Sequence, residues 1–381
     1  MTVQSLQELS PAQRGWEPAL GVVAAVETAP GCPDGQLPVP GGVFLMGSKS
    51  PEAGRDEGPV HVVQVASFCL DRTELAGDDG LPVTPLTFAE AQDACAARGA
   101  RLPTEAEWEK AARGGCERGA DPNLCDPDDL AIHPWGNAAA TCELANHQQV
   151  GPGGPRPCEK GPLAVGGRLE GAGPYGHLDL SGNVWEWVSD WYHPATWRRT
   201  PPRVNPAGPA AGEIHVLRGG GWNTFSTNMR AANRFTSVLE GSATGVRCAT
   251  GGAVGDHDTL APYVTHRVEV QIEGADGETV FLSAFDARDL DPAGDRPLPG
   301  RSPVAEKRLV VQPGPLPALQ LPPGDFLLMV AVDAISGIQA PTGPPRLGRA
   351  RLEVTDTPRE SPWTVSVQVV SGPRNTPGSR P

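Results

Sequence analysis

Eight cysteines lie between Cys32 and Cys248, and none occurs in the 133 residues that follow. An even number confined to one region points to disulfides inside one domain, formed where the compartment is oxidising. A metal site is a competing use, but the chain has no CxxC and no HExxH, and its eight histidines are scattered. A mixture with free thiols is the third reading. The start of the chain pulls the other way: "MTVQSLQELS" lacks the positive opening of a signal peptide, and "ALGVVAAV" is too short and too late for one. An upstream start, a longer parent chain or reduced cysteines would each reconcile the two. The cysteines thus lead us to expect a periplasmic or secreted protein, with the cytoplasm left open. No segment reaches the roughly 18 apolar residues that a membrane span needs.

The chain holds 47 glycines and 42 prolines among 381 residues, a balance that implies many turns and few long helices. With 39 % hydrophobic residues it can still bury a core. A net charge of -14 and the lack of any basic stripe exclude a nucleic-acid backbone as partner. Residues 1–31 are expected to be a mobile lead-in, and residues 32–249 a Trp-rich, Cys-bearing domain. Residues 250–262, within "TGGAVGDHDTLAP", read as a linker. From 263 to 370 the pattern changes to alternation: "HRVEVQIEG", "ETVFLSAFD", "KRLVVQP", "FLLMVAVD", "RARLEVTD" and "WTVSVQVV" are six strands parted by Pro and Gly turns. That predicts a small β-sandwich, with a disordered tail over 371–381.

Two helices can be placed in the first domain. "TFAEAQDACAARG" has Thr87 as N-cap, Glu90 to complete a capping box and Gly99 at the stop; "TEAEWEKAARGG" repeats the scheme with Thr104, Glu107 and Gly114. "GVFLMG", "HVVQVASFCLD" and "IHVLRGGGW" read as strands. So does "VWEWV", with Trp185 and Trp187 on one face and Glu186 on the other. Gly182 and Asn183 form a turn just before it. A carboxylate so close to that turn can converge with backbone carbonyls into an oxygen cage for a hard cation. The ordinary alternative is a solvated Glu186 on a strand whose tryptophans fill a core.

"PGGVFLMGS", "FCLDRTEL", "ARLPTEAEWEKAARGG", "HPWGN", "YGHLDLSGNVWEWVSDWY", "LRGGGW", "MRAANRF" and "GVRCA" follow one another in this order. Together they resemble the formylglycine-generating enzyme family, or sulfatase-modifying factors, over about residues 37–249. The resemblance implies an α+β domain of C-type lectin-like fold with much irregular structure. The later stretch "ALQLPPGDFLLMVAV" is weakly similar to immunoglobulin-like accessory modules. The family likeness also implies a structural calcium ion held by the side chains of Asp179 and Glu186 and the carbonyls of Gly182 and Val184. A second calcium site would begin at Asn146 and the carbonyl of His147, although no Asp partner follows in "PRPCEKGPLAV". Two bonded family positions match Cys95 and Cys248. By proximity, Cys142 pairs with Cys158, Cys116 with Cys125 and Cys32 with Cys69.

Oxidase members of that family convert a substrate cysteine to formylglycine with oxygen and a copper(I) ion held by two cysteines. Thiolates suit that soft ion. The matching positions here are Ser226 and Ala231, which supply no thiolate, and residues 159–247 contain no cysteine at all. We therefore expect no copper. Relatives that use iron attach this fold to a His-rich helical bundle, for which the thirty-odd residues ahead of the domain leave no room. Between "LDRTEL" and "PVTPLTF" only "AGDDGL" intervenes, where relatives carry a helix and a long loop, so that side of any cleft should be open. The expected role is a non-catalytic binding or scaffold module for a protein, peptide or glycan. Trp197 and Trp222 are candidates to stack on the ligand, and Arg218, Arg230, Asn233 and Arg234 to line a cleft; the ordinary alternatives are tryptophans that fill the core and Arg and Asn side chains that satisfy loop carbonyls. The alternative is an oxidoreductase or other enzyme of the family with a non-cysteine site built on those residues. A polar cleft would favour the enzyme, and a flat Trp-bearing surface the binder.

Overall fold

The computed structural model describes residues 31–118, 125, 130–151, 154–198, 203–236, 243–252, 254–255, 257, 266–273, 279–287, 290, 293, 305–311, 319–321, 324–332, 346–354 and 363–371. The expected lead-in, most of the linker and the tail beyond Ser371 lie outside them. The chain divides into two compact units, with a boundary between Pro262 and Tyr263.

The first unit is mostly sheet and irregular chain, with two short α-helices. It opens with β1 (Gln36–Val39), β2 (Gly42–Met46), β3 (His61–Val65) and β4 (Phe68–Asp71). "HVVQVASFCLD" was expected as one strand, but it breaks at Ala66 and Ser67, and its halves join different sheets. Helices α1 (Phe88–Ala96) and α2 (Glu105–Arg113) each start on the expected capping box, with Thr87 and Glu90 or Thr104 and Glu107 satisfying one another's backbone N–H groups. Helix α2 stops where Gly114 takes φ 92°. Eight of its nine residues are buried, and Ala106 and Ala111 join an apolar cluster with Phe44, Met46, Phe68 and Leu70.

After the hairpin β5 (Gln148–Gly151) and β6 (Gly154–Pro157) comes β7 (Trp185–Trp191), followed by β8 (Arg203–Val204), β9 (His215–Arg218), β10 (Phe235–Thr236), β11 (Thr244–Gly245) and β12 (Ala249–Gly251). A four-stranded sheet runs in the order β10, β9, β7, β11. β7 is therefore interior to a sheet and buried on both sides: Trp185, Glu186, Trp187 and Val188 are all buried. This corrects the picture of a solvated Glu186 opposite its tryptophans. Four disulfides tie the unit together, Cys32–Cys69, Cys95–Cys248, Cys116–Cys125 and Cys142–Cys158, and they are the expected pairs.

Among the described residues the second unit holds seven strands, β13 (His266–Glu273), β14 (Thr279–Asp286), β15 (Ala305–Val310), β16 (Leu319–Leu321), β17 (Gly324–Val332), β18 (Arg346–Val354) and β19 (Trp363–Ser371). Their order is β15, β14, β17, β18, β19, β13, β16. β18 meets β19 through only three residues, Arg346 to Gly348, so the sheet falls into two halves joined at that corner. Alternate residues of both halves, among them Val268, Val270, Leu282, Phe326, Leu328 and Val367, share one apolar cluster. Among the described residues no helix is long and apolar enough to cross a membrane.

Candidate functional site

The turn that feeds β7 carries three residues with positive φ, Asp179 at 57°, Gly182 at 84° and Asn183 at 60°. At Gly182 a Cβ would collide with the carbonyl oxygen of Asn146. Backbone bonds fix the turn on both sides: Gly182 donates to Gly219 O (2.9 Å) and Asn183 to Asn146 O (2.9 Å). Beneath it sits Glu74, which the sequence reading overlooked. Its carboxylate accepts from Asn183 Nδ2 (2.6 Å) and from the Val184 N–H (3.0 Å).

Glu186 points inward to Arg247. Nε of the guanidinium donates to Oε2 (2.6 Å) and Nη2 to Oε1 (2.7 Å), while Trp108 Nε1 also donates to Oε2 (2.7 Å). Both members of this ion pair are fully buried. Asp179 accepts from the Gly166 N–H (2.5 Å). Burial raises the Asp179 carboxyl above its usual range. Burial, followed by repulsion from Asp179 and Glu186, pushes Glu74 well above its own.

Of the expected calcium ligands, Glu186 accepts from Arg247 and Trp108, while Asp179 and Glu186 stand close enough to Glu74 for the three carboxylates to repel one another. At the second expected site the carbonyl of His147 accepts from the Cys158 N–H (2.7 Å) and Asn146 Nδ2 donates to Gly161 O (3.0 Å), while Asn146 Oδ1 is buried without a hydrogen-bond partner. Among the described residues no group of three or more His, Cys, Asp and Glu side chains converges as a metal site.

The residues expected to line a cleft are likewise interior. Arg218, Arg230, Asn233, Arg234 and Trp197 are between 0 and 4 % exposed. Helix α2 accounts for much of this, because its acidic residues face Arg218 at the end of β9 and Arg234 just ahead of β10. Glu105 binds Arg234 through Nε (2.6 Å) and Nη2 (2.9 Å), and Glu109 binds Arg218. Arg230 pairs with Glu57. Arg234 also lies over the rings of Tyr192 (5.0 Å) and Trp197 (5.4 Å). Buried charges persist when paired in this way, so the cluster is a structural network and not an open polar cleft.

Of the six cleft candidates only Trp222 reaches the surface. It starts a loop, residues 222–228, entered through Gly219 and Gly220 at φ 93° and 81°. Thr224 braces the loop: the Gly221 N–H donates to its Oγ1 (2.9 Å), and the Thr224 N–H to Gly221 O (3.0 Å). Trp222, Asn223 and Thr224 are half-buried and Phe225 is 40 % exposed. The β5 end of the hairpin flanks them, with the Gln148 N–H donating to Thr224 O (2.8 Å). Ser226 begins a short helical turn, and Ala231 is fully buried beside Trp108 and Leu180. Every cysteine in the chain is in a disulfide.

A disulfide-braced α+β domain with two capped helices and a surface loop carrying aromatic residues is the class that this geometry defines. Residues 75–251 match the family described as the sulfatase-modifying factor enzyme 1-like domain. The formylglycine-generating enzyme of Thermomonospora curvata is 28 % identical over 305 residues, covering 56 % of this chain and 93 % of that protein. That of Streptomyces coelicolor is 34 % identical over 185 residues, covering 47 % of this chain and 55 % of the relative. Hercynine oxygenase of Mycolicibacterium smegmatis is 36 % identical over 156 residues, covering 39 % and 32 %. The chain thus spans about half of one of these relatives and about a third of another. Among solved structures, PvdO from Pseudomonas aeruginosa is 21 % identical, with 56 % of this chain and 93 % of that chain covered at a TM-score of 0.42.

Proposed function

We propose that the cysteine-bearing domain is a non-catalytic binding or scaffold module that takes a protein, peptide or glycan ligand on the loop bearing Trp222 and Phe225. The observation that carries this reading is the state of the cysteines. All eight are in disulfides and none lies between residues 159 and 247, so the segment around Ser226 and Ala231 offers no thiolate for a soft metal. The burial of Arg218, Arg230 and Arg234 in ion pairs supports it further, since of the residues around the expected cleft it leaves Trp222 half-buried and Phe225 40 % exposed. The disulfides support an oxidising, extracytoplasmic setting. The second unit fits an immunoglobulin-like accessory module.

A second reading, an enzyme of the family with a non-cysteine site, draws on relatives named for formylglycine generation and hercynine oxygenation. One assay separates part of the field. The protein is incubated with copper, reductant and a peptide bearing the sulfatase cysteine motif, and the peptide is weighed. No mass change is expected, and aldehyde formation above a metal-free blank would overturn the binding-module reading. A glycan and peptide panel supplies the positive arm: capture by the wild type should drop at least ten-fold in Trp222→Ala with Phe225→Ser. Capture that ignores both changes would move the ligand elsewhere.

A further inference from the structure

We infer that Cys142–Cys158 is a thiol–disulfide exchange site, open to a dithiol reductant, whose state controls the loop bearing Trp222 and Phe225. The four disulfides are not equivalent in access. Cys69, Cys95, Cys116 and Cys248 are buried, so each of the other three bonds has at least one shielded sulfur, even though Cys32 and Cys125 are half-buried like Cys142. Cys142 and Cys158 are both half-buried, and an attacking thiolate must reach its sulfur.

The site also has a built-in group for the departing sulfur. His147 Nδ1 lies 3.5 Å from Cys158 Sγ and 3.1 Å from the carbonyl oxygen of Ala145. A carbonyl oxygen can only accept, so Nδ1 carries the proton, and Cys158 Sγ lies within reach of that N–H as a second, longer acceptor. The imidazole is 1 % exposed, and burial holds its pKa below the usual range, which keeps it a neutral donor at pH 7. A thiolate released at Cys158 would be met by a hydrogen bond from a buried donor.

The exchange balances as follows. A thiolate of the dithiol attacks Cys142 Sγ, the S–S bond breaks, and its electron pair goes to Cys158 Sγ, held by the His147 N–H. The second thiol of the reductant then attacks the mixed disulfide and releases Cys142. The reductant leaves as a disulfide, and its two protons end on Cys142 and Cys158. The sulfur with the stabilising donor is the better leaving group, which sets the direction of attack.

The bond is placed to matter for the loop. It spans 16 positions of sequence, and within that span residues 146–148 sit between two parts of the candidate site. The Asn146 carbonyl accepts from Asn183 at the turn before β7, and the Gln148 N–H donates to Thr224 in the ligand loop. On its other side His147 accepts from the Cys158 N–H. Opening the disulfide frees the end of the span to which His147 is tied, so the brace on Thr224 loosens.

The test titrates the intact, oxidised chain with dithiothreitol, followed by rapid alkylation, peptide mapping and amide hydrogen exchange. Cys142 and Cys158 should be alkylated at least ten-fold faster than the other six cysteines. Exchange should then rise in residues 146–149 and 222–228 before anywhere else in the first unit. Reduction of another bond first, or all four together, would overturn the assignment. Selective reduction with unchanged exchange at 222–228 would overturn the control of the loop. His147→Gln should slow the first reduction several-fold without altering the other bonds, and an unaltered rate would remove the role given to the ring. If that variant does not fold, Cys142→Ser with Cys158→Ser, which fixes the open state, must show the raised exchange on its own. The link to ligand capture rests on the binding reading above, whereas the order of reduction does not. Selective reduction with no captured ligand would therefore sink that reading and leave the exchange site standing.

Discussion

At the scale of single residues, the interior charges have sharper consequences than the surface. Glu186 neutralises Arg247 where neither touches water, and removing one member of such a pair strands the other at a cost of about 3–5 kcal/mol. Glu186→Gln should therefore lower the denaturant midpoint by that equivalent, while a chelator leaves the melting temperature of the wild type in place. A chelator-dependent melt would restore the calcium expectation. Asp190 gives a second case. It is buried, and its carboxylate accepts from the Glu105 N–H (2.7 Å), while desolvation, then repulsion from Glu105, raises its pKa to about 7. The folded protein then holds a proton that the unfolded chain releases at about pH 4, so its contribution is complete below pH 4 and is lost as pH rises towards 7. Asp190→Asn keeps an acceptor for Glu105 and removes the titration. Stability measured from pH 4 to 8 should fall less steeply in the variant, and parallel profiles would place the proton elsewhere.

Among the elements, the helices were the most legible in the sequence, because a capping box is written within four residues. The two boxes are alike in letters but not in setting. Thr104 is 1 % exposed at the head of a buried helix, whereas the contacts of Thr87 lie at the surface. Thr104→Ala should cost about 2 kcal/mol and Thr87→Ala about 0.5–1 kcal/mol, read from urea midpoints. Equal losses would mean that burial adds nothing to the cap. The six alternating segments of the second unit all became strands, whereas β16 was missed, since three residues are too few to show a period. The turn before β7 was visible through Gly182 and Asn183, yet its true partner Glu74 lies 109 residues from Asn183. Nor did anything near Glu186 announce Arg247, 61 residues away. The five buried cleft candidates were misplaced for the same reason. A local reading sees an arginine beside a Gly-rich turn but not the glutamates that α2 brings to it.

For the whole molecule, cysteine placement divides the chain into a stapled part and a part that stands on its apolar cluster alone. Cys95–Cys248 spans 153 positions, so in the chain-entropy model it contributes about 5 kcal/mol by restricting the unfolded chain, more than any of the three shorter bonds. Both sulfurs are buried, and the bond ties α1 to the segment just ahead of β12. Cys95→Ser with Cys248→Ser should thus lower the first unit's transition far more than Cys116→Ser with Cys125→Ser, which closes only nine positions. The unit from Tyr263 onward has no cysteine, and among the described residues its cluster around Leu282, Phe326 and Leu328 is built of that unit's own side chains. Calorimetry of the intact chain in excess reductant should accordingly move one transition down by many degrees and leave a second in place. If a single transition shifts as a whole, the stability of the β-rich unit depends on the stapled one, and the division by cysteine content does not describe how the protein unfolds.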